Sequence, residues 1–289
     1  MTDTLYYQPK SVDEALQIKA ELGAEGTFLA GGTDVVVGIR KGKLKVARTI
    51  DLSQVPGLDG IRRHDGFLEI GAMTTHKALE QHDVPAALAQ SCETVGGPQI
   101  RYLGTVGGQI GTASPAGDVS VALIALKADV ELRSAARGTR RLPLDEVFVG
   151  PGKTVIADDE MVTRVFVPLG RRSDFYKIGK RDAVAISLVM AAASVGPAGD
   201  VAIAIGCVAP VPLRIKRAEA LLDARGLSDE AVDEAATIAR EDCSPISDHR
   251  GGADYRRAMA GTLTKRLLSR LREVTPVKAK PAESSAEVA

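Results

Sequence analysis

The spacing of apolar and polar residues along the chain predicts alternating helices and strands. Apolar positions at helical spacing follow the capping box Ser11-Val12-Asp13-Glu14 and predict a helix that ends near Gly23. Short apolar runs bounded by turn residues predict strands over 27–30 and 46–52. Between them, Val35-Val36-Val37 has the composition of a strand, but it follows a glycine turn and can equally begin a helix. The pattern leaves both alternatives open.

The middle of the chain predicts a second group of elements. Strands are expected over 67–70, 129–132 and 161–167. The run 84–95 is mostly compatible with a helix, which Gly96-Gly97-Pro98 would end. A further helix is expected over the apolar run 119–126, with Asp118 placed to cap its first turn.

A polar stretch at 171–174 precedes a third group. The apolar runs 186–195 and 201–208 are joined by Gly196-Pro197-Ala198-Gly199-Asp200, which is typical of a β-hairpin. Helices are then expected around 217–222, after the capping residue Ser228, and over 253–271. The residues from Thr275 onward are terminal and poor in apolar side chains, which predicts disorder.

The three groups indicate an α+β protein, and 289 residues allow about two domains. We predict a first lobe over 1–55, a second lobe over 56–170, a C-terminal α+β domain over 171–274 and a tail over 275–289.

Charge and composition argue against several classes of function. Lys plus Arg and Asp plus Glu both total 37, so no net field favours nucleic acid or an anionic membrane surface. No apolar run is long enough to cross a bilayer and no secretory signal is evident, so we expect a cytoplasmic protein without a membrane span. Cys92, Cys207 and Cys243 are too widely spaced for a zinc or iron–sulfur site and predict buried thiols.

Two glycine-rich stretches form the candidate ligand site. Residues 105–118 combine three glycines within five positions with Thr and Ser hydroxyls, and 29–34 repeats this character upstream. Glycine lets a large anion approach the backbone N–H groups closely. One such stretch by itself is more often a simple turn, but two suit an extended dinucleotide. Together they predict the walls of a pyrophosphate pocket.

Competing chemistries have less support. Neither stretch has the Gly-x-Gly-x-x-Gly spacing of a Rossmann domain. Asp248-His249-Arg250 lacks a Gly-x-Ser-x-Gly elbow that could complete a hydrolase triad. The histidines show no metal-ligand spacing and are expected at the surface or at helix caps; they are His64, His76, His82 and His249.

The same stretches resemble the paired FAD-binding motifs of a known family. The matching residues are Ala30-Gly31-Gly32-Thr33-Asp34, Gln99-Ile100-Arg101 leading into Thr105-Val106-Gly107-Gly108, and Ala113-Ser114-Pro115 with Asp118. The family is the FAD-binding (medium) subunit of the molybdenum hydroxylases, the group of xanthine, carbon monoxide and nicotine or nicotinate dehydrogenases. The resemblance continues through Tyr176-Lys177 and covers roughly Tyr6 to Leu271.

This resemblance implies a fold and a set of site residues. The fold would be a two-lobed FAD-binding domain of the vanillyl-alcohol oxidase (PCMH) type, with a C-terminal α+β domain resembling that of the carbon monoxide dehydrogenase flavoprotein. The implied FAD contacts are Leu29, Ala30, Gly31, Gly32, Thr33, Asp34, Val35, Val36, Thr105, Val106, Gly107, Gly108, Gln109, Thr112, Ser114, Asp118, Val162 and Lys177. Tyr102 and Gln109 depart from the family, which usually has Asn at both positions.

The implied function is that of an FAD-dependent oxidoreductase subunit. It would pass electrons from [2Fe-2S] clusters of a small partner subunit to an acceptor such as NAD, oxygen or a quinone, with molybdopterin on a large subunit of a heterotrimer. No catalytic acid or base is expected in this chain, because the flavin carries the redox chemistry.

Two alternatives stay open. One is a stand-alone flavin oxidoreductase of the same fold, similar to the UDP-N-acetylenolpyruvoylglucosamine reductases. It would need an acid to protonate a carbanion, and no candidate acid is evident. The other is a non-enzymatic nucleotide-binding assembly subunit.

Overall fold

The computed structural model describes residues 5–273 and shows a mixed α and β architecture, as predicted. Its first part is a three-stranded parallel sheet in the order β1-β3-β2, where the elements are β1 (Leu5–Tyr7), α1 (Val12–Leu22), β2 (Gly26–Leu29), α2 (Val35–Arg40) and β3 (Arg48–Asp51). Ser11 caps α1, since its hydroxyl accepts the N–H of Glu14 at 3.1 Å. The open alternative at 35–37 resolves to a helix.

The second part is built on a five-stranded antiparallel sheet in the order β4-β5-β10-β6-β7. Its strands are β4 (Ile61–His64), β5 (Phe67–Gly71), β6 (Asp129–Ser134), β7 (Gly138–Pro143) and β10 (Met161–Pro168), and the short pair β8 (Phe148–Gly150) and β9 (Lys153–Thr154) lies beside it. Gly138, with φ +71°, follows the turn at 135–137 and begins β7. That strand is mostly exposed at the edge of the sheet, so its sequence lacks the apolar alternation that predicts strands.

The helices of this part are α3 (His76–Gln81), α4 (Ala86–Glu93), α5 (Pro98–Leu103), α6 (Val106–Thr112) and α7 (Asp118–Ala125). The second glycine-rich stretch, 105–118, therefore contains a short helix, α6. Thr105 caps it by accepting the N–H of Gly108 at 3.1 Å, and Ala113 ends it in the left-handed conformation. Glycine disfavours helices in isolation, so tertiary contacts stabilise α6 here.

The C-terminal part is a four-stranded antiparallel sheet covered by helices. Its elements are β11 (Arg172–Ile178), β12 (Val189–Val195), β13 (Val201–Gly206), β14 (Leu213–Arg214), α8 (Lys216–Arg225), α9 (Asp229–Asp242) and α10 (Ala253–Glu273). The hairpin and the Ser228 cap are as predicted. The polar stretch predicted to separate two groups lies largely within β11, and the predicted tail lies outside the described residues.

Strand β12 joins two hydrophobic cores. Met190 and Ala192 pack into the core of the second part, while Val189, Ala191 and Ala193 pack into the core formed with α8, α9 and α10. Successive residues of a strand face opposite sides, so β12 is apolar on both faces over most of its length, with Ser194 as its one polar residue. The C-terminal sheet is thereby held against the part of the molecule that contains α6 and α7.

Candidate functional site

A cleft of about 830 Å³ brings together both glycine-rich stretches and the start of the C-terminal part. This volume lies in the range of roughly 300–1,000 Å³ found for small-molecule and cofactor sites. The predicted site residues that line it are Ala30, Gly31, Gly32, Thr33, Asp34, Val35, Thr105, Gly107, Gly108, Gln109, Thr112, Ser114, Asp118, Val162 and Lys177. Three predicted contacts, Leu29, Val36 and Val106, are not among its lining residues.

The first glycine-rich stretch has free backbone donors. Among the hydrogen bonds of residues 5–273, none uses the N–H groups of Gly31, Gly32, Thr33 and Asp34. Gly32 has φ +71°, which turns the chain between β2 and α2 and requires glycine. A run of consecutive N–H groups at such a turn forms a concave anion-binding surface.

The second stretch is different, because the first N–H groups of α6 already have partners. Val106 donates to Thr74 O at 3.1 Å, Gly107 to Ala72 O at 2.8 Å and Gly108 to Thr105 Oγ1 at 3.1 Å. The second stretch therefore does not offer free donors at 106–108, whereas the sequence pattern predicted such donors in both stretches. It forms a wall of the cleft, and the first provides the donors.

The glycines of the two stretches do not all have the same role. A Cβ at Gly31 would lie 1.6 Å from the Leu103 carbonyl oxygen, and one at Gly107 would lie 2.7 Å from Ala72 Cβ. These two glycines are required by close packing within the protein. Gly111 lines the cleft, and a Cβ built there meets no atom within 4 Å. Internal packing therefore does not require glycine at position 111.

Asp118 does not cap helix α7, contrary to the sequence prediction. It is the first helical residue, and Gly117 occupies the capping position without a side-chain bond. The helix is capped instead by Gln109: with its amide oriented to satisfy hydrogen bonding, the oxygen accepts the N–H groups of Asp118 at 3.1 Å and Val119 at 3.2 Å. Position 109, where the family usually has Asn, thus joins α6 to α7.

The Asp118 carboxylate takes part in a buried ion pair at the cleft. Its Oδ2 lies 2.6 Å from Lys177 Nζ, which also donates to Thr94 O at 2.9 Å. Ser187 Oγ donates to Oδ1 at 2.7 Å, and Thr94 Oγ1 lies 3.2 Å from Oδ2. Burial raises the pKa of Asp118, while Lys177 opposes that shift. No sequence pattern marks Thr94 or Ser187, which tertiary packing brings to this site, with β11 against α4 and β12 against α7.

His76 is a cleft residue that sequence reasoning assigned to the surface or to a helix cap. It is the first residue of α3, where Thr75 is the cap, and only 3% of its surface is exposed. Its Nδ1 is buried without a hydrogen-bond partner. Burial lowers the pKa of the imidazole to about 4, so it is neutral at pH 7.

We expect the free energy of unfolding to fall as the pH drops from about 6.5 towards 4, in part because of His76. The folded-state pKa is about 4 and the ordinary value is 6.5, so the unfolded chain takes up the proton first. The contribution of neutral His76 to the free energy of unfolding is fully present above pH 6.5. Its complete loss at low pH corresponds to ~3 kcal/mol. The difference in unfolding free energy between pH 7 and pH 5, measured with denaturant, should be smaller in His76→Gln than in the parent. The exposed control His82→Gln should keep the parent's difference. An unaltered pH dependence in His76→Gln would contradict the assignment.

The charged groups of the cleft are mostly acidic. Asp34, Asp118 and Glu160 line it, and Lys177 is the only lysine or arginine among its described lining residues. Glu160 is bound by Arg140 at 2.7 Å, and Asp34 lies 3.0 Å from the hydroxyl of Thr112, which connects the two glycine-rich stretches. An anionic ligand here must therefore be bound largely by backbone N–H groups and neutral donors.

Residues 5–273 contain no group of three or more His, Cys, Asp or Glu side chains placed to hold a metal ion. The three cysteines are buried, as predicted. Over the same range, no helix has the length and apolar character needed to cross a membrane.

Comparison with known proteins agrees with the geometry of the cleft. Residues 2–170 match the family described as the FAD binding domain in molybdopterin dehydrogenase, and residues 174–271 match the CO dehydrogenase flavoprotein C-terminal domain. The carbon monoxide dehydrogenase medium chain of Hydrogenophaga pseudoflava is 32% identical over 274 residues, covering 91% of this chain and 95% of that protein. The nicotinate dehydrogenase FAD-subunit of Eubacterium barkeri is 32% identical over 283 residues, covering 92% and 95%.

Solved structures give the same result. A chain of carbon monoxide dehydrogenase from Hydrogenophaga pseudoflava superimposes with a TM-score of 0.86 at 32% identity, covering 92% of this chain and 96% of that one. A chain of quinoline 2-oxidoreductase from Pseudomonas putida 86 gives a TM-score of 0.84 at 25% identity, covering 93% and 96%. The chain belongs to the FAD-binding medium subunits of the molybdenum hydroxylases and is an oxidoreductase subunit.

Proposed function

We propose that this chain binds FAD in the cleft and passes electrons from [2Fe-2S] clusters of a partner subunit to an acceptor within a heteromeric molybdenum hydroxylase. The observation that carries the proposal is the run of four free N–H groups from Gly31 to Asp34, which faces a cleft of dinucleotide size. When bound, FAD supplies the redox chemistry, and the protein supplies binding and orientation.

The proposed contacts divide by chemistry. The turn at 31–34 binds the pyrophosphate through backbone N–H groups, and the hydroxyls of Thr33 and Ser114 are available beside it. Val162, at the β-bulge of β10, and the aliphatic part of Lys177 provide apolar surface for a ring system. Within this assignment, the Asp118–Lys177 pair keeps a positive charge at the cleft without leaving it unpaired.

The partners follow from what the described chain lacks. Residues 5–273 hold no metal-ligand cluster, so any [2Fe-2S] cluster that reduces the flavin would lie on another subunit. We assign the [2Fe-2S] clusters to a small subunit and molybdopterin to a large one, with NAD, oxygen or a quinone as acceptor.

The purified chain should carry stoichiometric FAD. Its visible spectrum should show the bands of oxidised flavin, and mass spectrometry of the released cofactor should identify FAD rather than FMN. A colourless protein that cannot be reconstituted with FAD would refute the proposal and favour the nucleotide-binding assembly subunit.

Gly111→Leu tests whether the cofactor lies in this cleft. The new side chain meets no protein atom at its Cβ, and glycine is a poorer helix former than leucine by about 1 kcal/mol, so the apo fold should not be weakened. We expect FAD affinity to fall on the order of tenfold or more, because the leucine occupies space at the cleft wall. Gly32 and Gly108 are less suitable, since φ at Gly32 is +71° and a Cβ at Gly108 would lie 2.9 Å from Thr105 Oγ1.

The matched control is Gly252→Leu. This glycine also has open space around its Cβ position and no positive φ, but it is not a lining residue of the cleft. FAD affinity is measured by titration of the apoprotein. Equal affinity in Gly111→Leu and Gly252→Leu would show that FAD binds outside this cleft.

A further inference from the structure

His76 presents an unpaired imidazole edge to the cleft. Its ring lies under Gly104, where a Cβ would come 3.0 Å from His76 Cδ2 and 3.3 Å from Nε2. His76 lines the cleft, and none of the side-chain hydrogen bonds of the described residues involves either ring nitrogen. Only Nδ1 is fully enclosed without a partner, which leaves Nε2 as the nitrogen that a ligand can reach.

The enclosure of Nδ1 favours one tautomer. A buried N–H without an acceptor is rarer in proteins than an acceptor that lacks a donor. The proton of the neutral imidazole therefore belongs on Nε2, and the lone pair belongs on Nδ1. His76 is then a neutral N–H donor directed at the cleft.

The position of this donor is close to the free N–H groups of the first turn. Gly31 packs directly on the Leu103–Gly104 peptide, with a Cβ at Gly31 reaching 3.1 Å from Gly104 N. Gly104 in turn packs on the His76 ring and accepts the His76 N–H at 3.0 Å. The three residues Gly31, Gly104 and His76 thus form one continuous part of the cleft wall.

We propose that His76 Nε2–H donates a hydrogen bond to a pyrophosphate oxygen of bound FAD. The inference rests on the proposed function. It gives Nε2–H an acceptor that the protein itself does not supply, while the enclosed Nδ1 keeps its lone pair. It also gives the pyrophosphate a side-chain donor in a cleft where Lys177, the one lysine or arginine among the described lining residues, is paired with Asp118.

The test compares three probes on apoprotein from the parent, His76→Phe and His76→Gln. FAD and ADP contain the pyrophosphate, and riboflavin contains only the flavin ring. In His76→Phe, which keeps an aromatic ring without a donor, we expect the dissociation constants of FAD and ADP to rise about tenfold to a hundredfold. Riboflavin binding should not change. His76→Gln can place its amide N–H near the Nε2 position and should recover part of the loss.

A second readout is independent of affinity. In ¹⁵N NMR spectra of selectively labelled protein, His76 should show protonated Nε2 before and after ADP is added, with the Nε2 resonance shifting on binding. Three results would overturn the inference: equal FAD affinity in parent and His76→Phe, weakened riboflavin binding with unchanged ADP binding, or protonated Nδ1. Failure of the parent itself to bind FAD would instead refute the proposed function, so the two are distinguishable.

Discussion

Asp118→Asn is expected to destabilise the protein by about 3 kcal/mol and to lower FAD affinity, because it leaves Lys177 buried without its counter-ion. The two side chains are 6% and 11% exposed, and their charged atoms are 2.6 Å apart. A role as a helix cap would predict a mild effect, since Asn caps a helix about as well as Asp. Denaturant unfolding of the apoprotein and FAD titration measure the two effects separately.

The ion pair itself can be isolated with a double-mutant cycle. Lys177→Met alone leaves Asp118 buried and unpaired, while the double variant Asp118→Asn/Lys177→Met removes both charges. We expect the double variant to be more stable than the sum of the single effects predicts, with a coupling of about 1–3 kcal/mol. The exposed pair Arg225–Glu234 is the matched control, and Glu234→Gln should cost less than about 1 kcal/mol. Additive single effects at 118 and 177 would refute the coupling.

The second large effect concerns activity without partners. Expressed alone, this chain should bind FAD and yet show almost no dehydrogenase activity with substrates of the complex, because the proposed function assigns the clusters and molybdopterin to other subunits. Co-expression with neighbouring subunits should restore activity and yield one assembly by size-exclusion chromatography with mass analysis. A monodisperse lone chain with full activity would support a stand-alone flavin oxidoreductase instead.

If the proposed function holds, we expect the iron–sulfur subunit to bind at exposed apolar residues near the cleft. We call Val36, Val37, Ile39, Ile100, Tyr102 and Leu103 the rim patch; these residues are exposed on α2 and α5, two helices that also contribute lining residues to the cleft. Exposed apolar surface of this kind is common at subunit interfaces. A partner bound there would bring its clusters close to the flavin.

Tyr102→Glu combined with Val37→Glu should therefore prevent recovery of the complex, while FAD binding by this chain stays normal. Ile246→Glu is the control, because Ile246 is 71% exposed and does not line the cleft. Recovery of an intact complex from the double variant, in the same yield as from the control, would show that the partner binds another face.

Much of the fold could be predicted from local sequence. Several elements were predicted correctly because each depends on only a few neighbouring residues. They are the helices capped by Ser11 and Ser228, the hairpin at 196–200 and the apolar strands β12 and β13. Edge strand β7 could not be predicted in this way, because its exposed side chains carry no apolar alternation.

The sequence by itself determined the family and predicted the regions that line the cleft, because glycine-rich motifs and their flanking residues are local features. Tertiary structure decided what each residue does. It made residues 106–112 a helix with satisfied donors, left the free N–H groups at 31–34, and turned Asp118 from a helix cap into the partner of Lys177. It also buried His76 under Gly104, 28 positions further along the chain. Burial and pairing depend on contacts between distant segments, and no local pattern encodes them.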